Sequence, residues 1–103
     1  MIALALAAAV ATTDQSREIL SVGVGAHSCA SWLATPDSRF EGNVWVYGYW
    51  TGLNQGGSNP YVGRSTDGPG IVAEVRKLCE ATPSATVIAT AYRVYITLRR
   101  EGR

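Results

Sequence analysis

The sequence has little of the material from which metal, catalytic and nucleic-acid sites are usually built. It contains one histidine and two cysteines, which fall short of the four ligands of a structural zinc site. Nine Lys and Arg stand against eight Asp and Glu without forming a basic patch, so nucleic acid is not an expected partner. No run of about 20 apolar residues is present, so the sequence predicts no membrane span.

Titratable side chains are too scattered for acid–base catalysis, which needs a pair of them in one cleft. His27 is the only histidine, while Asp37 and Glu41 have the spacing of ordinary carboxylates at a helix start. Gly23-x-Gly25 is not followed by a strand–turn–helix unit with a third glycine, so it does not predict a nucleotide site. We therefore expect no enzymatic activity, no catalytic residues, no cofactor and no bound metal.

The first eleven residues, MIALALAAAVA, form an uncharged apolar run that ends in small residues. Ala9-Val10-Ala11 matches the A-x-A pattern of a cleavage site, although no Lys or Arg precedes the run. The alternative is an ordinary buried helix. We interpret residues 1–11 as a signal peptide or its remnant and residues 12–103 as a single helical domain. The protein is therefore expected in the periplasm or outside the cell.

Cys29 and Cys79 are predicted to form a disulfide, because a lone cysteine pair in an exported chain is usually oxidised. The bond would close a loop of about 50 residues and contribute about 4 kcal/mol in the chain-entropy account. That contribution is a large part of the total stability of a small domain.

Hydrophobic periodicity predicts an all-α fold, a small bundle of about four helices stapled by the one disulfide. A short extended segment over residues 19–26 precedes the helices, because that stretch is β-branched and punctuated by glycine. Ser28 is expected to cap a short helix, which ends before Pro36.

The second half of the chain contains the clearest helix, over residues 71–81, with an apolar stripe opposite a charged face. Asp67 or Thr66 can cap it. Residues 55–70 are predicted to form a loop because glycine, proline, asparagine and serine dominate them. Over residues 84–99 a strand-like alternation competes with a longer helical stripe, and we favour the helix.

Residues 39–54, RFEGNVWVYGYWTGLN, combine strand propensity at positions 44–47 with a helical pattern. As a helix the segment is apolar almost all round, which is typical of a central helix or an interface helix. Val44, Gly48 and Gly52 share one face, and the glycines would let another helix come close. We predict a central helix with one side in a dimer or partner contact. The side chains expected to bind protein are Trp45, Tyr47, Tyr49 and Trp50.

One set of spaced residues extends over most of the domain. It comprises Cys29-x-x-Trp32-Leu33-Ala34, Trp45-x-x-Gly48-Tyr49, Asn54, Asp67-x-x-Gly70-Ile71, Cys79-x-x-x-Pro83 and Thr86-Val87. This set resembles the HdeA/HdeB class of small periplasmic acid-stress chaperones, over about residues 28–98. The resemblance implies a helical fold with one disulfide, unfolded proteins as clients, and a dimer that comes apart in acid. The chain departs from that class in having Lys77 as its only lysine.

A second resemblance involves Gly48-Tyr49-x-x-Gly52 and the amphipathic helix that ends near Pro83. These features resemble periplasmic immunity proteins of the Rap/Tai type, which neutralise type VI secretion effectors and usually carry more cysteines. The leading hypothesis is an exported, non-enzymatic chaperone that binds unfolded clients. The alternatives are an immunity protein that binds a toxin effector and a helical module with another role.

Overall fold

A computed structural model describes residues 19–103, so the signal peptide predicted at residues 1–11 lies outside the described part of the chain. The all-α prediction is confirmed, because the described residues form four α-helices, one 3₁₀ turn and no strand. The helices are α1 (Cys29–Leu33), α2 (Pro36–Gly56), α3 (Gly68–Ala81) and α4 (Val87–Arg100). The helix favoured for residues 84–99 is also confirmed, and it begins at Val87, after the N-cap Thr86.

The start of α2, a helix of 21 residues, is fixed by its local sequence. Thr35 and Ser38 form a capping box, in which each backbone N–H donates to the hydroxyl of the other residue at 3.1 Å. Pro36 occupies the first turn, where its missing N–H has no intrahelical partner to lose. With this start fixed, the strand propensity of positions 44–47 is overridden.

The predicted disulfide between Cys29 and Cys79 is confirmed and joins the start of α1 to the last turns of α3. The two Cα atoms are 5.1 Å apart, and both side chains are fully buried. The connector that leads into α4 runs beside the bond. The N–H of Cys29 donates to the carbonyl of Ala85 at 2.8 Å, and the N–H of Val87 donates to the carbonyl of His27 at 3.0 Å. The disulfide and these two hydrogen bonds therefore hold the start of α1, the end of α3 and the start of α4 together.

Trp32 of α1 decides how α1 packs on α2. Its side chain is fully buried, and its Nε1–H donates to the carbonyl of Arg39 at 3.1 Å. The indole ring crosses α2 at Gly42, where a methyl group would overlap the ring. Gly42 is therefore required by the close approach of these two helices.

The extended segment predicted for residues 19–26 is shorter than expected. Val22 has extended backbone, whereas Gly23–Ala26 forms a 3₁₀ turn in which Gly23 has a φ of 83°. The turn packs on the indole of Trp45, which a methyl group at Gly25 would overlap. The Trp45 Nε1–H also donates to the carbonyl of Val22 at 2.8 Å. The contact with Trp45 therefore determines the backbone conformation of residues 22–26, and local residue propensities do not predict it.

The connector between α2 and α3 covers residues 57–67 and is shorter than the predicted loop of 55–70. The expected cap at Asp67 is confirmed, since its carboxylate accepts from the N–H of Gly70 at 2.8 Å. Pro69 is tolerated in the first turn of α3, so that helix begins before Ile71. Val62 is buried and holds the connector against the core.

Gly42 and Gly48 provide a matched pair of substitutions in one helix. Nothing lies within 4 Å of a methyl group at Gly48, whereas one at Gly42 meets Trp32. We expect Gly48→Ala to raise the free energy of unfolding by about 1 kcal/mol, as helix propensity predicts. Gly42→Ala should lower it by about 1–3 kcal/mol through overpacking. Urea denaturation at low protein concentration measures both, and effects of the same sign would contradict the packing of α1 on α2.

Candidate protein-binding surface

The four aromatic residues predicted to bind protein all lie on α2 but in different surroundings. Trp50 is buried, with 4% of its surface exposed. Trp45 and Tyr49 are half-buried and stack on each other, with ring centroids 5.0 Å apart. Tyr47 is 39% exposed and lies beside Gly68, at the start of α3. Of the four, Tyr47 presents the largest fraction of its surface to solvent.

Trp50 belongs to a buried network that ties α2 to α4 and to the connector. Its ring meets Tyr95 edge-on, with centroids 5.0 Å apart, and its Nε1–H donates to the carbonyl of Val62 at 2.8 Å. Asn54 completes the network, because it accepts from the Tyr95 hydroxyl at 3.0 Å and donates to the same carbonyl at 3.1 Å. In the folded protein Trp50 therefore supports the surface without forming part of it.

Trp45 and Tyr49 form a half-buried aromatic pair beside the 3₁₀ turn. Burial raises the pKa of the Tyr49 phenol, and the charge that develops on Tyr92 of α4 raises it further. The edge of this pair is accessible, while the indole N–H of Trp45 is already used by the carbonyl of Val22. The pair can offer apolar contact to a partner, but the Trp45 hydrogen bond is committed within the chain.

A more exposed apolar surface lies on the outward side of α2. Phe40 is 71% exposed and Val44 is 53% exposed. Gly48 and Gly52 follow at the same four-residue spacing, with nothing within 4 Å of a methyl group at either. Residues four apart lie in one row along a helix, so these four residues form what we call the outward ridge. No charged residue occurs between Gly42 and Gly56.

The sequence grouped Val44 with the two glycines but did not include Phe40, although Phe40 follows the same spacing. Gly48 and Gly52 were expected to let another helix approach, yet no part of the chain within residues 19–103 does so at either glycine. Of the aromatic residues predicted to bind protein, Trp50 is buried, and Trp45 and Tyr49 pack α2 against neighbouring parts of the chain. Sequence reasoning therefore identified the face of Val44, Gly48 and Gly52 but missed that Phe40 extends it.

A groove of about 420 Å³ lies between α3 and α4. Its apolar floor consists of Leu78, Val94 and Leu98. The charged side chains around it are Glu74, Lys77, Arg93, Glu101 and Arg103. Two of them form an ion pair, with Arg103 Nη1 2.8 Å from Glu101 Oε1. Since cations and carboxylates nearly balance, the groove has no strong preference for a charged ligand.

The part of the chain that the structure describes contains no group of three or more His, Cys, Asp or Glu side chains able to hold a metal ion. Among residues 19–103, no helix combines the length and the apolar character needed to cross a membrane. The exposed His27 takes part in the fold through its backbone carbonyl.

Comparison of the chain with protein-family models, with curated proteins and with solved structures finds no match in any of the three. The likenesses to acid-stress chaperones and to immunity proteins therefore rest on the spaced residues alone and stay hypotheses.

The raised pKa of Tyr49 predicts a loss of stability in alkali. The unfolded phenol ionises near its ordinary value of about 10, before the folded one, so ionisation favours unfolding. The contribution of the neutral phenol is fully present below about pH 10 and is lost as the pH rises through the folded pKa. Tyr49→Phe should remove a late-ionising phenol from a tyrosinate absorbance titration, while Tyr61→Phe, at an exposed position, serves as the control. A late phase that survives Tyr49→Phe would contradict this assignment.

Proposed function

We propose that this chain is an exported, non-enzymatic protein that binds other proteins, and that it acts as an HdeA-like stress chaperone on unfolded clients. The observation that carries the proposal is the apolar surface on the outward side of α2. Contiguous exposed apolar side chains are typical of protein-interaction sites. Further exposed apolar side chains precede the 3₁₀ turn, at Ile19, Leu20 and Val22.

The buried disulfide supports the exported part of the proposal. Disulfides persist in oxidising compartments such as the periplasm and are rare in the cytosol. Cys29 and Cys79 are both inaccessible to solvent, and no free cysteine occurs among the described residues. A bond of this kind has a structural role, which suits a protein that must survive outside the reducing cytosol.

The balance of charge suggests how acid would change the protein. Near pH 2 carboxylates are largely protonated, so the net charge of the chain rises from +1 to about +10. The groove between α3 and α4 would then keep the positive charges of Lys77, Arg93 and Arg103 without the compensating Glu74 and Glu101. Self-repulsion would loosen this contact and expose its apolar floor, while the disulfide still joins α1 to α3.

The chaperone proposal is tested by light scattering from an acid-unfolded client at pH 2, with and without this protein. We expect suppression of aggregation by the wild type and markedly less by the double variant Phe40→Ser/Val44→Ser, whose side chains are exposed in the folded state. Tyr61→Ser removes an exposed aromatic side chain of the connector, outside the outward ridge, and is the matched control. No suppression by the wild type would contradict the chaperone proposal, and full suppression by the double variant would contradict the role of α2.

The alternative proposal is an immunity protein that binds a single toxin effector at neutral pH. The groove between α3 and α4 favours it, because an apolar floor with a charged rim suits one preformed partner better than many unfolded clients. In that case the protein would suppress no aggregation at pH 2. It would instead bind one effector tightly at neutral pH, which calorimetric titration measures.

A further inference from the structure

The exposed side of α4 gathers positive charge. No basic patch was expected from the sequence, but Arg93, Arg99 and Arg100 line one shallow depression of about 520 Å³ on this helix. No Asp or Glu occurs in α4, and within residues 19–103 none of the three guanidinium groups forms an ion pair. The ion pair of this region joins Arg103 to Glu101 instead. The described chain therefore leaves the positive charge of the depression uncompensated.

The arginines lie on a helix whose end is held by hydrogen bonds. The N–H of Arg103 donates to the carbonyl of Leu98 at 2.8 Å, and the N–H of Gly63 in the connector donates to the carbonyl of Arg103 at 3.1 Å. Cations in the last turn of a helix stabilise it through its dipole. That effect accounts for the two arginines of the last turn but not for Arg93, which lies about two turns earlier.

Apolar side chains lie between the arginines. Tyr92 and Ile96 are four residues apart and form a row along the helix, with Arg99 on one side of the row and Arg93 and Arg100 on the other. Tyr92 is 46% exposed, Ile96 is half-buried, and both line the same depression as the arginines. We call these five residues the arginine face. It combines permanent positive charge with an amphipathic ring and an aliphatic side chain.

This combination is typical of a helix that lies on a membrane. In such helices basic side chains bind lipid phosphates, while aromatic and aliphatic side chains reach the boundary of the acyl chains. Tyrosine suits that depth because its body is apolar and its tip is polar. We propose that the arginine face of α4 binds the surface of a membrane that contains anionic phospholipids. This inference does not rest on the chaperone proposal.

Other anionic ligands fit the arginine face less well. A small phosphate ester is usually bound in a concave pocket that buries most of it, whereas a single helix forms this face. Nucleic acid is usually bound by a strongly basic domain with aromatic rings that stack on the bases. The net charge of this chain is +1, and the aliphatic Ile96 between the arginines offers no stacking surface. An anionic bilayer requires neither a cleft nor stacking.

The number of arginines sets the strength of the binding. Each basic residue near an anionic leaflet strengthens binding about fivefold at low salt. The three arginines together therefore contribute on the order of a hundredfold. At about 0.5 M salt the Debye length is only about 4 Å, so most of this contribution should be lost.

The test is co-sedimentation of the disulfide-bonded full chain with phosphatidylcholine vesicles that contain from zero to about 40% phosphatidylglycerol, at low salt and neutral pH. Binding is expected to rise with the anionic fraction and to be lost at about 0.5 M salt. Arg93→Gln/Arg99→Gln should lower the partition coefficient about 25-fold. Its matched control is Arg39→Gln/Arg76→Gln, which removes the same charge outside the arginine face and should lower it less than about threefold. Residues 1–11 are identical in all variants, so their contribution cancels.

The apolar contribution is tested at Tyr92. Tyr92→Trp keeps an amphipathic ring and should keep the affinity, and brominated acyl chains should quench the fluorescence that it adds. Tyr92→Ser should weaken binding several-fold. Circular dichroism verifies that each variant is folded. Equal binding to neutral and anionic vesicles, an equal loss in the two double arginine variants, or tighter binding to a single-stranded oligonucleotide than to the vesicles would overturn the proposal.

Discussion

The disulfide between Cys29 and Cys79 is the constraint on which the rest of the structure depends. It fixes the start of α1 against the end of α3, and the backbone hydrogen bonds beside it fix the start of α4. With α1 held in place, Trp32 lies across α2 at Gly42. The disulfide joins two cysteines that are 50 residues apart in the sequence. Through Trp32 it therefore helps to orient α2, the longest helix. For a domain whose buried core contains many valines and few large side chains, such a bond compensates for limited burial.

This arrangement gives α2 two sides with different roles. Its inner side carries Val46 and Trp50, which fill the core, and its flank carries the stacked pair of Trp45 and Tyr49. Its outward side is uncharged beyond Glu41 and packs against no other helix of the described chain at its glycines. The interior contacts hold the helix, and within residues 19–103 its outward side stays largely exposed. The proposal of client binding depends on this exposed side.

Elements determined by local sequence could be predicted, and elements determined by tertiary contact could not. Ser28 and Asp67 cap their helices as expected, because each carries the side-chain oxygen that a helix start requires. The 3₁₀ turn was not predicted, because it depends on the indole of Trp45, 20 or more residues along the chain. The binding surface was only partly predicted for the same reason. An aromatic residue in sequence does not reveal whether its ring packs inward, as Trp50 does, or outward, as Phe40 does.

The central claim is that the disulfide determines the arrangement of the other helices. The most direct measurement is urea unfolding of the oxidised and the reduced protein at neutral pH, followed by the fluorescence of the buried tryptophans Trp32 and Trp50. The account predicts that reduction lowers the free energy of unfolding by about 4 kcal/mol. It also predicts that amide hydrogens of α2 lose protection together with those of α1 and α3. A reduced protein with an unchanged unfolding midpoint and a fully protected α2 would contradict the account.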